Sequence, residues 1–394
     1  MRFLVVGNYI DDEIKNKRGL PSSNPAGSNR IFNIASAMGQ SNDSTLILSS
    51  GSAANIKFNK KLLHKYEIRR VGNNILIFSS ALSIPYLSIF YEQLSIIYIF
   101  LKLFKKYKLN IIILYCYYPS TIFVGLIAKL LNIKIIEDLQ DIVKPKLSDF
   151  WKNSILFGFQ QYFGRLLMTI VLLISNIILV PSNRFIRQKY KKKYLKVDGC
   201  INFNEIDICP SYDAKFKVLY SGLINEENGR NLFLETLYIL DKKINFEIEF
   251  HITGIIEDEE NFISKLKEFT NLTIYVHGFL SVEKFKLLLK SINICLVLQD
   301  PYGRNRNAKT PSKGFEYLSN GKAVICSLIG DFPEIPNDCI IFLENYNKQA
   351  LANILLNVPK IDINKIMVNA AKYSKENWDF NVVQKNIFYK LDLY

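Results

Sequence analysis

The chain has 394 residues, 49% of them hydrophobic and 22% charged, which excludes a disordered chain and is too long for a single ordinary core at roughly one domain per 150 residues. Its net charge of +14 is uneven: residues 1–200 hold 28 Lys+Arg against 11 Asp+Glu, whereas residues 201–394 hold 22 against 25. A basic half with interleaved aromatics admits nucleic acid or an anionic membrane surface, but no nucleic-acid recognition motif is present and the long apolar runs beside it favour the membrane.

The first residues read as a strand, Arg2 to Val6, and not as a signal peptide. A polar loop follows, then Pro25-Ala-Gly-Ser-Asn-Arg30 and a helix from about Ile31 to Met38. A strand, a glycine-containing loop and a helix aim backbone N–H groups at an anion, or form a plain connection; no phosphate-loop pattern decides between them. Strands are expected at Thr45 to Leu48, Asn74 to Phe78, Ile111 to Leu114 and Lys134 to Ile136, with helices near Tyr86 to Lys106 and Ile122 to Leu131. The last of these strands delivers Glu137-Asp138-Leu-Gln-Asp141, acids placed where open parallel sheets bind ligands, or else simply capping and solvating a loop.

Trp151 to Ile174 reads as an apolar helix and Ile177 to Val180 as a strand. The apolar runs Ile111 to Ala128 and Leu166 to Asn183 reach transmembrane length, but internal turns split both into strand–helix units. Arg184 to Lys196 carries seven cations with interspersed aromatics, as a membrane-surface segment or a solvated basic helix would.

An irregular stretch, Val197 to Ala214, marks the interdomain link. Beyond it strands at Val218 to Tyr220, Ile248 to Ile252, Leu272 to Val276, Ile294 to Leu298 and Ala323 to Cys326 alternate with helices near 230–241, 258–268, 282–290 and 311–319. The expected fold class is therefore α/β: two Rossmann-like doubly wound domains facing a cleft, over residues 1–200 and 213–375, with a C-terminal helix at 376–394 returning toward the first. The six cysteines show no metal-binding or paired spacing and read as reduced residues of a cytosolic protein, and no metal site is legible. His251 and His277 read as structural residues of strand-like segments.

The stretch Lys309 to Ile335 carries the most chemistry. Thr310-Pro311 suits a helix N-cap and first position, and Asn320-Gly321 a stop. Spacing of three puts Lys313 and Glu316 on one face near a positively polarised helix start, as a surface ion pair or as a clamp for a diphosphate and a ribose diol.

With Tyr220-Ser221-Gly222 and Asn228-Gly229, the PSKxFEYLxxGKxVI stretch from Pro311 to Ile325 and the Ala26 to Arg30 loop, the chain resembles the retaining family 4 glycosyltransferases of GT-B architecture over nearly its whole length. That resemblance implies transfer of a sugar from a nucleoside-diphosphate-sugar without a bound metal or other cofactor. It implies that Glu316 holds the donor ribose, and that Lys313 and the N–H groups near Ser312 face the diphosphate. Gly27, Ser28 and Arg30 would approach from the first domain, with Ser221, Gly222, Asn228, Gly229, Arg230, Gly254, Lys309 and Thr310 completing the donor site. Asp141 and Glu137 become the catalytic acids. Many relatives carry a second glutamate eight positions before Glu316, where this chain has Ala308, and two further cations where it has Leu223 and Asn228; Arg230, Arg304, Arg306 and Lys309 are the replacements at hand. The acceptor expected from the basic, aromatic-rich first half is lipid-linked or a saccharide, met by a peripheral enzyme on the inner face of a bacterial membrane. A sugar-nucleotide epimerase and a non-catalytic scaffold are the alternatives.

Overall fold

The computed structural model describes residues 2–20, 25–40, 44–50, 62–84, 87–116, 119–140, 166–185, 188–205, 215–303 and 311–392. The chain divides into unit 1, Met1–Asn202 with Trp378–Tyr394, and unit 2, Phe203–Asn377.

Unit 1 holds an eight-stranded sheet. From edge to edge its order is β10 (Tyr194–Lys196), β9 (Ile177–Val180), β8 (Lys134–Asp138), β7 (Ile111–Tyr115), β1 (Phe3–Gly7), β2 (Thr45–Ser49), β5 (Asn74–Phe78) and β4 (Glu67–Val71). All neighbours are parallel except β4, which runs antiparallel to β5. A two-stranded ribbon of β3 (Leu63–His64) and β6 (Ala81–Leu82) stands apart. The central strands are fully buried runs of β-branched and leucine residues, as strands covered on both faces must be.

One face of the sheet carries α1 (Asp12–Arg18) and α2 (Pro25–Met38), and the other carries α3 (Leu87–Tyr107) and α4 (Pro119–Leu130), with α5 at 166–174. The segment expected as a polar loop contains α1, capped by the Asp11 side chain on Ile14 N and stopped by left-handed Gly19. Ala26 to Arg30 is likewise not a loop. Helix α2 begins at Pro25, whose fixed φ suits a first helical position, so Gly27 and Ser28 lie in its first turn. Glu137 and Asp138, expected beyond a strand, are its last two residues. The basic stretch after Pro181 forms two 3-10 turns (Asn183–Phe185 and Gln188–Lys193) and the edge strand β10 instead of a helix. Its Lys193 Nζ donates to the carbonyls of Leu172, Leu173 and Ser175, closing the C-terminal end of α5.

Unit 2 holds six parallel strands in the order β13 (Thr273–Val276), β12 (Ile248–Ile256), β11 (Phe216–Ile224), β14 (Ile294–Val297), β15 (Ala323–Ser327) and β16 (Ile341–Leu343). This is the Rossmann order, which reverses direction between β11 and β14 and opens a crevice at their carboxyl ends. The crossovers are α6 (Arg230–Lys243), α7 (Glu259–Leu266), α8 (Val282–Ser291) and α9 (Ser312–Ser319), followed by α10 (Lys348–Leu356) and α11 (Ile363–Trp378). A core of Val218, Tyr220, Phe233, Phe250, Ile252 and their neighbours fills one face.

The last helix, α12 (Phe380–Lys390), packs with unit 1. Lys134 Nζ donates to Leu391 O, Ile201 N donates to Trp378 O, and Phe380 N donates to Ile201 O. Both long apolar runs resolve into strand and helix where they are described, and no helix among the described residues is long and apolar enough to cross a membrane.

Candidate nucleotide site in unit 2

The crevice between β11 and β14 is built from three short pieces. Ser221 and Gly222 lie near the carboxyl end of β11, Gly254 faces Gly222 from β12, and α9 enters over β14. Pro311 is the N-cap of α9, one position earlier in the helix than expected, and no side chain caps it; Thr310 lies outside the described residues.

Half-buried Lys313 reaches from α9 to the end of β11, where its Nζ donates to Ser221 Oγ at 2.8 Å. Ser221 Oγ in turn shares a hydrogen bond of 2.6 Å with the buried Tyr317 hydroxyl. The ammonium also stands 5.9 Å from the centre of the Phe285 ring on α8. Burial lowers Lys313 to about 8, opposed by the nearby Glu316 charge. Glu316 remains accessible to solvent on the same face of α9, one turn on, yet the protein crowding its carboxyl raises it above the ordinary carboxylate value, with Lys313 and Lys286 pulling the other way. A half-buried ammonium held by a hydroxyl, beside an accessible carboxylate and a helix start, is an arrangement that an incoming diphosphate completes.

Backbone geometry permits this approach. Gly222 has φ 123° and a Cβ there would lie 2.8 Å from Lys313 Nζ; Gly254 has φ 131° and its Cβ would fall 1.9 Å from Gly222 O. Both positions therefore demand glycine.

Other expected site residues are committed to local structure. Asn228 Nδ2 donates to Leu223 O and Asn225 Oδ1, closing the loop after β11, while its own carbonyl accepts from Tyr220 OH. Gly229 supplies the left-handed turn into α6, and Arg230 donates to Glu257 O. In unit 1, Ser28 Oγ donates to Ile10 O and accepts from Ile10 N, pinning the loop after β1, and Gly27 is buried beside it. Arg30, expected at the donor, is turned inward: its Nε and Nη2 grip both oxygens of buried Asp138 at 3.0 and 3.1 Å. Glu137 is fully buried, and neither carboxylate oxygen has a hydrogen-bond partner among the described residues. Burial, then the Asp138 charge, raises it well above the carboxylate range, and its side chain offers no exposed surface to a ligand. Asp141, Arg304, Arg306, Ala308 and Lys309 lie outside the described residues.

His251 Nδ1 and His277 Nε2 meet at 3.0 Å with stacked rings, and burial holds both below the usual histidine value. Sequence reasoning did not single out Tyr317 or Phe285. Tyr317 stands four residues after Lys313 on the same helix and was open to the same spacing argument, whereas nothing local marks Phe285.

Residues 203–376, nearly the whole of unit 2, match the model of the family described as Glycosyl transferases group 1. Sucrose-phosphate synthase from Thermosynechococcus elongatus has a similar structure, with a TM-score of 0.64 at 14% identity over 99% of this chain and 98% of that one. A glycosyltransferase from Rickettsia africae gives 0.63 at 17% identity over 100% and 98%. Anabaena HepE in complex with UDP gives 0.61 at 12% identity over 100% of both chains. A search of curated protein sequences returns no match. The likeness extends over both units, and the fold is GT-B: two Rossmann-like α/β domains.

Proposed function

We propose that the chain is a retaining glycosyltransferase of family 4 that moves a sugar from a nucleoside-diphosphate-sugar to a lipid-linked acceptor in bacterial surface polysaccharide synthesis. The observation that carries the donor half is the Lys313 ammonium, lowered by burial and held by Ser221 at the carboxyl end of β11 beside the start of α9. The glycosyl transferases group 1 match and the neighbour bound to UDP support a nucleotide donor.

In this reading Glu316 accepts from the ribose hydroxyls while Lys313 and the first N–H groups of α9 face the diphosphate. Departure of the diphosphate leaves an oxocarbenium-like centre, and preorganised cation and helix start stabilise the leaving charge in the role a metal plays elsewhere. Transfer then proceeds without a bound metal, and its rate is unchanged by chelation with EDTA; a rate restored only by added divalent cation contradicts this. The lipid-linked acceptor and a place on the cytoplasmic face of the membrane rest on the basic excess of residues 1–200.

Incubating the enzyme with radiolabelled nucleotide-sugars and a lipid extract tests the reading. Label moving into the lipid phase only when both are present supports it. Epimerised donor or free altered sugar formed without acceptor indicates an epimerase, and absence of any diphosphate binding indicates a non-catalytic scaffold.

A further inference from the structure

The outer helices of unit 1 are apolar on two opposite sides. Helix α3 turns Ile96, Ile99, Phe100 and Leu103 into the core. At about 100° per residue the opposite side is a second stripe, Leu87, Phe90, Leu94, Tyr98 and Leu101, within an arc of roughly 80°. That stripe faces solvent, with Phe90 70%, Leu94 68% and Tyr98 68% exposed. Helix α4 packs beside α3 and repeats the pattern: Val124 and Ala128 point inward, while Phe123, Leu126 and Leu130 are exposed, Leu130 at 83%. In α5, Leu166 and Leu173, seven residues apart, are exposed in the same way.

The exposed charge on these helices has one sign. Lys105 continues the α3 stripe, Lys102 and Lys106 flank it, and Lys129 lies at the end of α4, all exposed. Among α3, α4 and 166–174 the one acid is Glu92, which is buried. Helices apolar on both their inward and outward sides have a second apolar face to cover, yet none among the described residues is long and apolar enough to span a bilayer. An exposed patch of this extent marks an interaction surface.

We propose that the outward face of α3, α4 and α5 is a membrane-docking surface that lays its apolar stripe into the interface of an anionic bilayer, with Lys102, Lys105, Lys106 and Lys129 against lipid headgroups. A second copy of the chain fits poorly, because these helices offer no exposed carboxylate to receive its lysines. Anionic lipid supplies that charge. The assignment deepens the proposed lipid-linked acceptor and rests on that reading. Within the Arg184 to Lys196 segment, Lys193 is by contrast occupied with capping α5.

Flotation of the full chain with phosphatidylglycerol-containing vesicles and with pure phosphatidylcholine vesicles, at rising salt, tests the proposal. The wild type should float with the anionic vesicles at low salt. Phe90→Ser/Leu94→Ser/Tyr98→Ser should weaken binding at least about tenfold, and Lys102→Gln/Lys105→Gln/Lys106→Gln should remove the salt-dependent part. Both triple variants touch only exposed positions, so melting temperature and the thermal shift given by nucleoside diphosphate should match the wild type. Absence of wild-type flotation, or equal flotation of the apolar triple variant, overturns the surface. So does a dimer in light scattering that the same variant breaks. Loss of the nucleotide shift in the wild type with flotation intact counts against the donor site alone.

Discussion

Lys313 Nζ donates to Ser221 Oγ at 2.8 Å across 92 residues of sequence, tying the first turn of α9 to the carboxyl end of β11. The contact draws a half-buried ammonium to the mouth of the Rossmann crevice in unit 2. The proposed chemistry depends on that placement.

The Lys313 ammonium is disfavoured in the folded chain, falling from 10.5 to about 8 mainly through burial. Between those values the unfolded chain holds a proton that the folded chain has released, so stability of the ligand-free protein should rise as pH climbs from about 8 to about 10.5; the penalty is present in full below 8. Lys313→Met should flatten that rise in a series of thermal melts. Diphosphate affinity should run the other way and weaken above pH 8 in the wild type, as the ammonium is lost.

Gly222→Ala should damage the site through the backbone. A Cβ at φ 123° is strained by about 1–3 kcal/mol and would stand 2.8 Å from Lys313 Nζ, forcing the ammonium aside. Chemical denaturation should show the lost stability, and calorimetry a diphosphate affinity down about tenfold. Unchanged affinity would place the diphosphate elsewhere.

Arg30→Met should destabilise unit 1 by about 3–5 kcal/mol, because Asp138 would remain buried without its guanidinium. The same substitution should leave the nucleotide-induced shift of the surviving folded fraction intact. A folded, stable variant that no longer responds to nucleotide would return Arg30 to the donor site.

Glu137→Met should stabilise the protein by about 1–3 kcal/mol, since it replaces a buried acid whose oxygens have no partner among the described residues. The gain should grow with pH. In the wild type the unfolded chain ionises Glu137 above its ordinary value of 4.5 while the folded chain keeps the proton, so stability falls as pH rises from there toward the raised value. Parallel urea titrations at pH 5 and pH 8 compare the two proteins.

The doubly wound pattern was legible because its strands are unbroken apolar runs, such as Ile111–Tyr115 and Ala323–Ser327, separated by helix-length segments. Edge and ribbon strands escaped notice, because Glu67–Val71 is largely polar and exposed and Leu63–His64 is only two residues long. The capped helix Asp12–Arg18 had its signals in place, Asp11 before it and Gly19 after it, but three basic residues made it look like a loop. Within the site, spacing alone placed Lys313 and Glu316 on one face of α9. What the lysine touches was not legible, since Ser221 and Phe285 arrive from other elements, and the Arg30–Asp138 pair joins residues 108 apart. Local pattern decides which residues are available, and tertiary pairing decides which of them are already engaged.

Thermal melting of the wild type and Lys313→Ala with UDP, GDP and ADP tests the donor site most directly. One of these diphosphates at about a hundred times its Kd should add roughly 2.7 kcal/mol to wild-type stability, raising the melting temperature by a few degrees, and the variant should lose most of that shift. An equal shift in Lys313→Ala, or no shift of the wild type with any of the three, would contradict the account.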